Sequence, residues 1–330
     1  MKYFLLLTIL IIIIRIYIQL AKRFNIVDQP NKRSSHKTVT VRGGGIIFPI
    51  GALIWFIFSG FQYPIFFLGL IVISMVSFLD DIAPLSSRIR LIVHFIAIFL
   101  LCSEIGLQLL PWSIWIIVGI ITIGTINAFN FMDGINGITG GYSLSVISGL
   151  WLINNYQIEF IPNEFIYFNA ITAATFCVFN FRKRAICFAG DVGSISIAFI
   201  VVFMLAKLII YTGNPIYILF LSVYGVDSVL TIIYRIWHKE NIFEAHRKHL
   251  YQLMANELKI SHILVATIYS ILQFLICIIT YLAIKNTSIS SLSFYIGLCI
   301  LSMLTLLFVF ARIQINYKLT LEEFHLNQQV

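Results

Sequence analysis

Charge is scarce in this chain of 330 residues: only 11% are Asp, Glu, Lys or Arg, against roughly 25% in ordinary globular proteins. With 60% of the residues hydrophobic and a mean hydropathy of +0.96, too little polar surface remains to cover a water-soluble particle. The same composition excludes a disordered, fibrous or disulfide-rich secreted chain. The five cysteines, Cys102, Cys177, Cys187, Cys277 and Cys299, form no CxxC and no Cys/His spacing, so they read as small core residues. Alternation with a period of two is missing as well. The apolar runs are continuous and rich in Ile, Leu and Phe, which disfavours a transmembrane β-barrel and predicts an all-α bundle.

What is present is a series of runs long enough to cross a bilayer, whose core of ~30 Å needs ~20 mostly apolar residues per helix. They lie near 3–20, 45–62, 64–79, 91–109, 112–128, 138–154, 164–181, 193–211, 214–236, 262–285 and 290–311. The chain is therefore expected to be a polytopic integral membrane bundle of about eleven transmembrane helices, forming a single domain over residues 1–330. Its first run meets Lys22 and Arg23 without a small-x-small cleavage site and is expected to stay as an uncleaved span. Eighteen of the 22 basic residues fall in the odd-numbered loops and the C-terminal tail. The positive-inside rule then puts those loops and the C-terminus in the cytoplasm and the N-terminus outside. The net charge of +8 is largely this topology feature. No internal repeat, low-complexity tract or soluble domain interrupts the pattern.

The scarce acids cluster on one predicted face. Asp80-Asp81, Asp133 and Asp191 all sit at the cytoplasmic ends of spans. Carboxylates at one depth repel one another unless a cation joins them, and Asp oxygens with water and substrate phosphate are the ligands that Mg²⁺ prefers. Asp133 lies in the polar turn Asn127 to Gly137 and Asp191 in Phe188 to Ser194, both flanked by glycine. Gly193-Ser194 is expected to open a helix whose N–H groups receive an anion. The loop Glu244 to Gln252 carries His246 and His249, three apart and expected on one helical face, beside Arg247, Lys248 and Lys259. Arg33 to Gly45 repeats the theme with basic groups, hydroxyls and a glycine run. Acids for a divalent ion, with cations and glycines for phosphates, point to chemistry between a cytosolic phosphate compound and a lipid.

Five blocks in this order, Arg33 to Gly45, Phe78-Leu79-Asp80-Asp81, Asn127 to Gly137, Phe188 to Ser194 and His246 to Gln252, resemble those of the polyprenyl-phosphate N-acetylhexosamine-1-phosphate transferases. That family includes phospho-N-acetylmuramoyl-pentapeptide transferase and the enzymes that initiate O-antigen, capsule and teichoic acid synthesis. The resemblance implies a ten- or eleven-helix bundle in the bacterial inner membrane, with its active site on the cytoplasmic face. It implies transfer of a sugar-1-phosphate from a UDP-N-acetylhexosamine to undecaprenyl phosphate, releasing UMP, with Mg²⁺ as cofactor and Mn²⁺ as the alternative ion. The implied partners are those two substrates and the lipid bilayer; nucleic acid is not among them, and a homodimer is compatible with the pattern.

By the same resemblance Asp191 matches the metal ligand. Asp80 and Asp81 match the paired acids, proposed in the family as base for the lipid phosphate or as metal neighbours, and Asp133 matches the acid of the third block. Phe188 matches the aromatic that stacks on uracil, and Asn180 an asparagine near the nucleotide. His246 and His249 match the block that contacts the diphosphate, and Lys37 a basic residue near the site. Arg42 and Asn130, inside the matching blocks, join the substrate-binding set. The chain departs from the family pattern at Val39 and Val41, where prolines are frequent, at Ala189, where Met is usual, and at Asn136, where many members carry a second acid. The His-x-x-His-x-Tyr-Gln form resembles the O-antigen and capsule branch more than the peptidoglycan enzyme that forms lipid I, which is the alternative within the family. A transporter or flippase of a phosphorylated solute or lipid is the rival from another class. It would place Arg15, His94, Glu104, Lys207 or Asp227 at mid-bilayer as a coupling site, although Lys207 and Asp227 are able simply to pair across adjacent helices.

Overall fold

The structure is a computed structural model and describes residues 1–30, 35, 38–242, 244, 246–285 and 290–327. It is 79% helical. The long helices are α1 (Lys2–Arg23), α2 (Ile47–Phe58), α3 (Pro64–Ile82), α4 (Ser87–Glu104), α5 (Trp112–Met132), α6 (Ile138–Tyr156), α7 (Asn163–Asn180), α8 (Gly190–Thr212), α9 (Ser222–Trp237), α11 (His262–Lys285) and α12 (Ser290–Asn327). A three-residue α10 (Leu250–Gln252) lies between α9 and α11. Each run read from the sequence falls on one of the long helices. Among the described residues seven segments are long and apolar enough to cross a membrane: α1, α3, α5, α8, Pro215–Trp237, α11 and Phe294–Leu321.

The run at 214–236 is not one continuous α-helix. It opens as a 3₁₀ turn, Pro215–Leu221, started by the Asn214 side chain accepting from the Ile216 N–H (3.1 Å), and only then becomes α9. A broken helix inside a bundle needs partners for the backbone groups it frees. Gln273 of α11 supplies them, accepting from the Val223 N–H at 3.1 Å and donating to the Leu219 carbonyl at 3.0 Å. The Tyr142 hydroxyl of α6 donates to the same Gln273 oxygen (2.9 Å) and holds the amide in place.

The helix α8 is the centre of the bundle, with 83% of its apolar window buried, and packs against α2, α3, α5 and α6. In lipid the apolar effect does not drive helices together, so close approach and polar contacts between them matter more. Ser74 of α3 and Ser196 of α8 share a buried hydrogen bond of 2.8 Å, and the Phe66 and Phe203 rings of the same pair stack 3.9 Å apart.

One short ribbon departs from the all-α expectation. Strands β1 (Val27–Asp28) and β2 (Thr40–Val41) pair antiparallel, and Val41 also bridges Cys187 in parallel. This clips the loop after α1 onto the loop before α8.

Polar side chains collect at the two ends of the bundle. At one end Lys2 pairs with Glu164 (3.2 Å), Glu104 accepts from the N–H groups of Ile65 and Phe66 at the start of α3 (2.7 and 3.0 Å), and the Lys207 ammonium lies 4.3 Å over the Tyr63 ring. The four site acids and the histidine loop occupy the other. The expected Lys207–Asp227 pairing is therefore corrected: Lys207 sits with Tyr63, and Asp227 is bonded into the histidine loop.

Candidate functional site

The site grows from the glycine run after Arg42. Gly44 and Gly45 donate their N–H groups to the carbonyls of Phe188 (2.8 Å) and Ala189 (3.0 Å), and the Phe188 N–H returns to the Val41 carbonyl (2.8 Å). A methyl group on Gly45 would stand 2.3 Å from the Gly193 Cα, so two backbones touch where no side chain fits. That contact delivers Arg42 to the start of α8. Its Nε lies 2.6 Å from Asp81 Oδ1 and its Nη2 3.5 Å from Asp191 Oδ1.

Asp81, with a side chain of zero exposure, has both oxygens occupied. Oδ1 accepts from the Asp191 N–H at 2.9 Å and Oδ2 from the Val192 N–H at 3.0 Å. The anion expected at this helix start is thus supplied by the protein itself. Helix α8 begins at Gly190 and not at Gly193, so the N–H groups left over lie one turn earlier than the sequence suggests, and an acid from α3 reaches them first.

Asp80 faces the other way from Asp81. Its Oδ1 accepts from the Leu85 N–H (2.6 Å) and its Oδ2 pairs with Arg90 (3.1 Å), while the side chain also approaches Asp191. Asp191 takes a hydrogen bond from Asn130 Nδ2 (3.1 Å) and keeps 20% of its side chain exposed. Asp133, just past the end of α5, accepts from the Thr139 hydroxyl (2.5 Å). Burial pushes its carboxyl up to about 8, against the pull of the Thr139 hydrogen bond and with the negative charges of Asp191 and Asp81 adding to the rise.

A cavity of about 290 Å³ collects these groups, lined by Arg42, Asn130, Asp133, Asn180, Phe188 and Asp191 among others. Asn180 spends its amide on structure, accepting from the Gly137 N–H (2.7 Å) and donating to the Cys187 carbonyl (2.9 Å). Asn136 donates to the carbonyls of Arg182 (2.9 Å) and Lys183 (3.3 Å). An ionised acid at this position would face two carbonyl oxygens, so the amide is the side chain that fits this loop. Lys37 lies outside the described residues.

The histidines differ from expectation. Residues 246–248 are not helical, and His249 is the residue that caps α10, so the pair does not share a helical face. Their rings lie 4.9 Å apart. Neither lines the cavity; Gln252 and His262 do, together with Ser194. His262 opens α11 and carried no motif by which the sequence would single it out. Burial lowers the His246 imidazole to about 4, with His249 and Arg235 adding to the effect, so it is neutral near pH 7.

Asp227 was missed as part of the site because it lies inside an apolar helix. Buried in α9, it accepts from the Leu250 N–H (2.9 Å), the Tyr251 N–H (3.4 Å) and the Tyr269 hydroxyl (2.8 Å). From the last helix, Arg312 donates to the Lys248 carbonyl (2.9 Å) and lies 3.9 Å over the Tyr234 ring. Arg235 donates to the carbonyls of Asn241, Ile242 and Glu244.

Beside the polar cavity runs an apolar groove of about 590 Å³ between α5 and α9, with Leu301 and Thr305 of α12 on its wall. Phe131 and Asn127 line it, within a turn of Asn130 and Asp133. The polar, acid-lined cavity and the apolar groove thus lie next to each other along the last turns of α5. Residues 63–209 match the family described as glycosyl transferase family 4. The match, over a little less than half of the chain, supports a polyprenyl-phosphate sugar-1-phosphate transferase kind of function, and the apolar helices suit a multi-pass membrane protein. It takes in all four acids, Asn130, Asn180 and Phe188, and stops before the histidine loop. No curated protein matches the chain.

Proposed function

We propose that the protein transfers an N-acetylhexosamine-1-phosphate from a UDP-sugar to undecaprenyl phosphate, releasing UMP, as the first step of a cell-surface polysaccharide. On this reading eleven spans cross the bacterial inner membrane, with the acids on the cytoplasmic face. The observation that carries it is that the acid-lined cavity and the apolar groove lie side by side along Asn127 to Asp133. The transporter reading loses support, since Glu104 and Lys207 sit with polar partners at the far end of the bundle from the acids.

Among the described residues no three His, Cys, Asp or Glu form a ready-made metal cage. Mg²⁺ is usually held by one or two carboxylates, water and substrate phosphate. Asp191 fits as its protein ligand, being partly exposed in the cavity, with Asp80 beside it. When bound, the ion would neutralise charge on the diphosphate.

Phosphoryl transfer asks the protein mainly for positioning and charge stabilisation. Arg42 stands between Asp81 and Asp191 with its guanidinium toward the cavity. Phe188 offers a ring to the uracil, and the Asn130 amide fixes the Asp191 carboxylate. Burial raises the carboxyls of Asp133, to about 8, and of Asp81, to about 6, so both lie near neutral pH, and Asp133 is the one of the two that lines the cavity. The reading is tested with purified protein: labelled UMP should exchange into the UDP-sugar only when a divalent cation and undecaprenyl phosphate are both present. Exchange without the lipid, or none with any UDP-N-acetylhexosamine, would reject it.

A further inference from the structure

We propose that Asp227 is the positioning residue for His249: from inside the bundle its carboxylate holds the imidazole with Nδ1 turned inward, leaving Nε2 as the ring nitrogen that exchanges a proton. The inference rests on the transferase reading for its functional part, but its structural part stands alone. His249 is only 2% exposed, and its Nδ1 is a buried polar atom without a hydrogen bond at contact distance. That atom lies 3.6 Å from Asp227 Oδ1, so a closure of about half an ångström brings it into hydrogen-bond range. Such bonds are often long before substrate arrives and shorten in the working complex.

The surroundings leave the ring few other orientations. It stacks between Phe131 (6.1 Å) and Tyr251 (6.0 Å), and its backbone N–H is bonded to the Gln252 side chain (3.3 Å). Asp227 in turn is fixed from several sides: the Leu250 and Tyr251 N–H groups, the Tyr269 hydroxyl and the Thr231 hydroxyl (3.3 Å) all donate to it. A buried carboxylate in a spanning helix is expensive unless satisfied in this way. Four donors would suffice for a cap on α10. The His249 side chain also faces the Gln252 N–H in the cap of α10, so the Asp227 carboxylate, 3.6 Å from Nδ1, is the group that decides whether that nitrogen carries a proton or accepts one. A carboxylate there selects the Nδ1–H tautomer and stabilises the imidazolium that forms when Nε2 takes up a proton.

The experiment measures the His249 tautomer by nitrogen NMR of histidine-labelled full-length protein, assigned with His249→Gln, and kcat and KM for the UDP-sugar in parallel. Wild type is expected to carry its proton on Nδ1. Asp227→Asn is expected to populate the Nε2–H form and to lower kcat by on the order of 10²-fold or more, the range in which loss of an orienting carboxylate falls, with KM changed less than about threefold. Tyr269→Phe removes one donor from the same carboxylate and should leave the tautomer in place. A wild-type imidazole protonated on Nε2 would overturn the proposal, as would an Asp227→Asn enzyme with wild-type kcat. If Asp227→Asn does not fold, the wild-type tautomer still decides. That readout needs no turnover, so a failure of the transferase reading, seen as no UMP release by wild type, is distinguishable from a failure of this one.

Discussion

Arg42 and Asp81 offer the sharpest test of how the site is held together. Their contact of 2.6 Å joins a guanidinium exposed to 35% to a carboxylate with no exposure at all. Breaking a fully buried pair by removing one partner costs ~3–5 kcal/mol, whereas an exposed pair is worth ~0–1. Arg42 is about a third exposed, so the buried limit must be discounted for solvent screening. Arg42→Ala should therefore cost about 2 kcal/mol. Asp81→Ala should cost more, because the N–H groups of Asp191 and Val192 also lose their acceptor, at ~1–3 kcal/mol for each buried group left unsatisfied. The double variant should cost clearly less than the sum. Reversible unfolding in mixed micelles of rising denaturing-detergent fraction measures all four corners of this cycle, and the coupling should come out near 2 kcal/mol. A coupling below about 0.5 kcal/mol, the value of an ordinary surface pair, would show that Asp81 is not held as the structure has it.

Further outcomes are expected at neighbouring positions. Gly45→Ala places a methyl 2.3 Å from the Gly193 Cα; it should cost ~3 kcal/mol or more, read as lost monodisperse yield, and a wild-type melting profile would refute the close approach. Asp133, raised from 3.8 to about 8 in the folded protein, binds its proton more tightly there than when unfolded. Its contribution to stability is full below pH ~4 and is lost as pH rises through about 8, so Asp133→Asn should flatten that part of the unfolding profile measured without divalent cations. Asp191→Asn should abolish UMP exchange without loss of folded protein, and wild-type rate and ion dependence would remove it as the metal ligand. A membrane-impermeant thiol reagent should label cysteines placed at Asn155 and Thr212 but not at Ser86 or His246 in intact cells, and labelling at His246→Cys would invert the proposed topology.

Helices were legible in the sequence because an apolar run of bilayer length has few alternatives, and the acids were legible because any charge in such a chain stands out. What the sequence hid was which oxygen meets which donor. Asp80 and Asp81 are adjacent letters, yet one turns to Arg90 and the other to the start of α8. No periodicity predicts that a carboxylate from α3 will arrive at α8 before any ligand does. The histidine spacing suggested a shared helical face, but Asp227 captures the Leu250 and Tyr251 N–H groups and starts the helix only after His249. Asp227 itself was weighed only as a mid-bilayer charge, since its partners lie some 20 to 40 residues away along the chain. His262 had no motif at all and reached the cavity wall through the placement of α11.

Arg312 bears on the order in which the protein becomes competent. The ribosome delivers Arg42 near the beginning of synthesis and Arg312 near its end, and the Lys248 carbonyl gains its Arg312 partner only when the last helix docks against Tyr234. Until then the acids have their partners while the loop lacks one of its anchors. A chain without α12 would keep the contacts of its acidic centre while its histidine loop lost the Arg312 anchor.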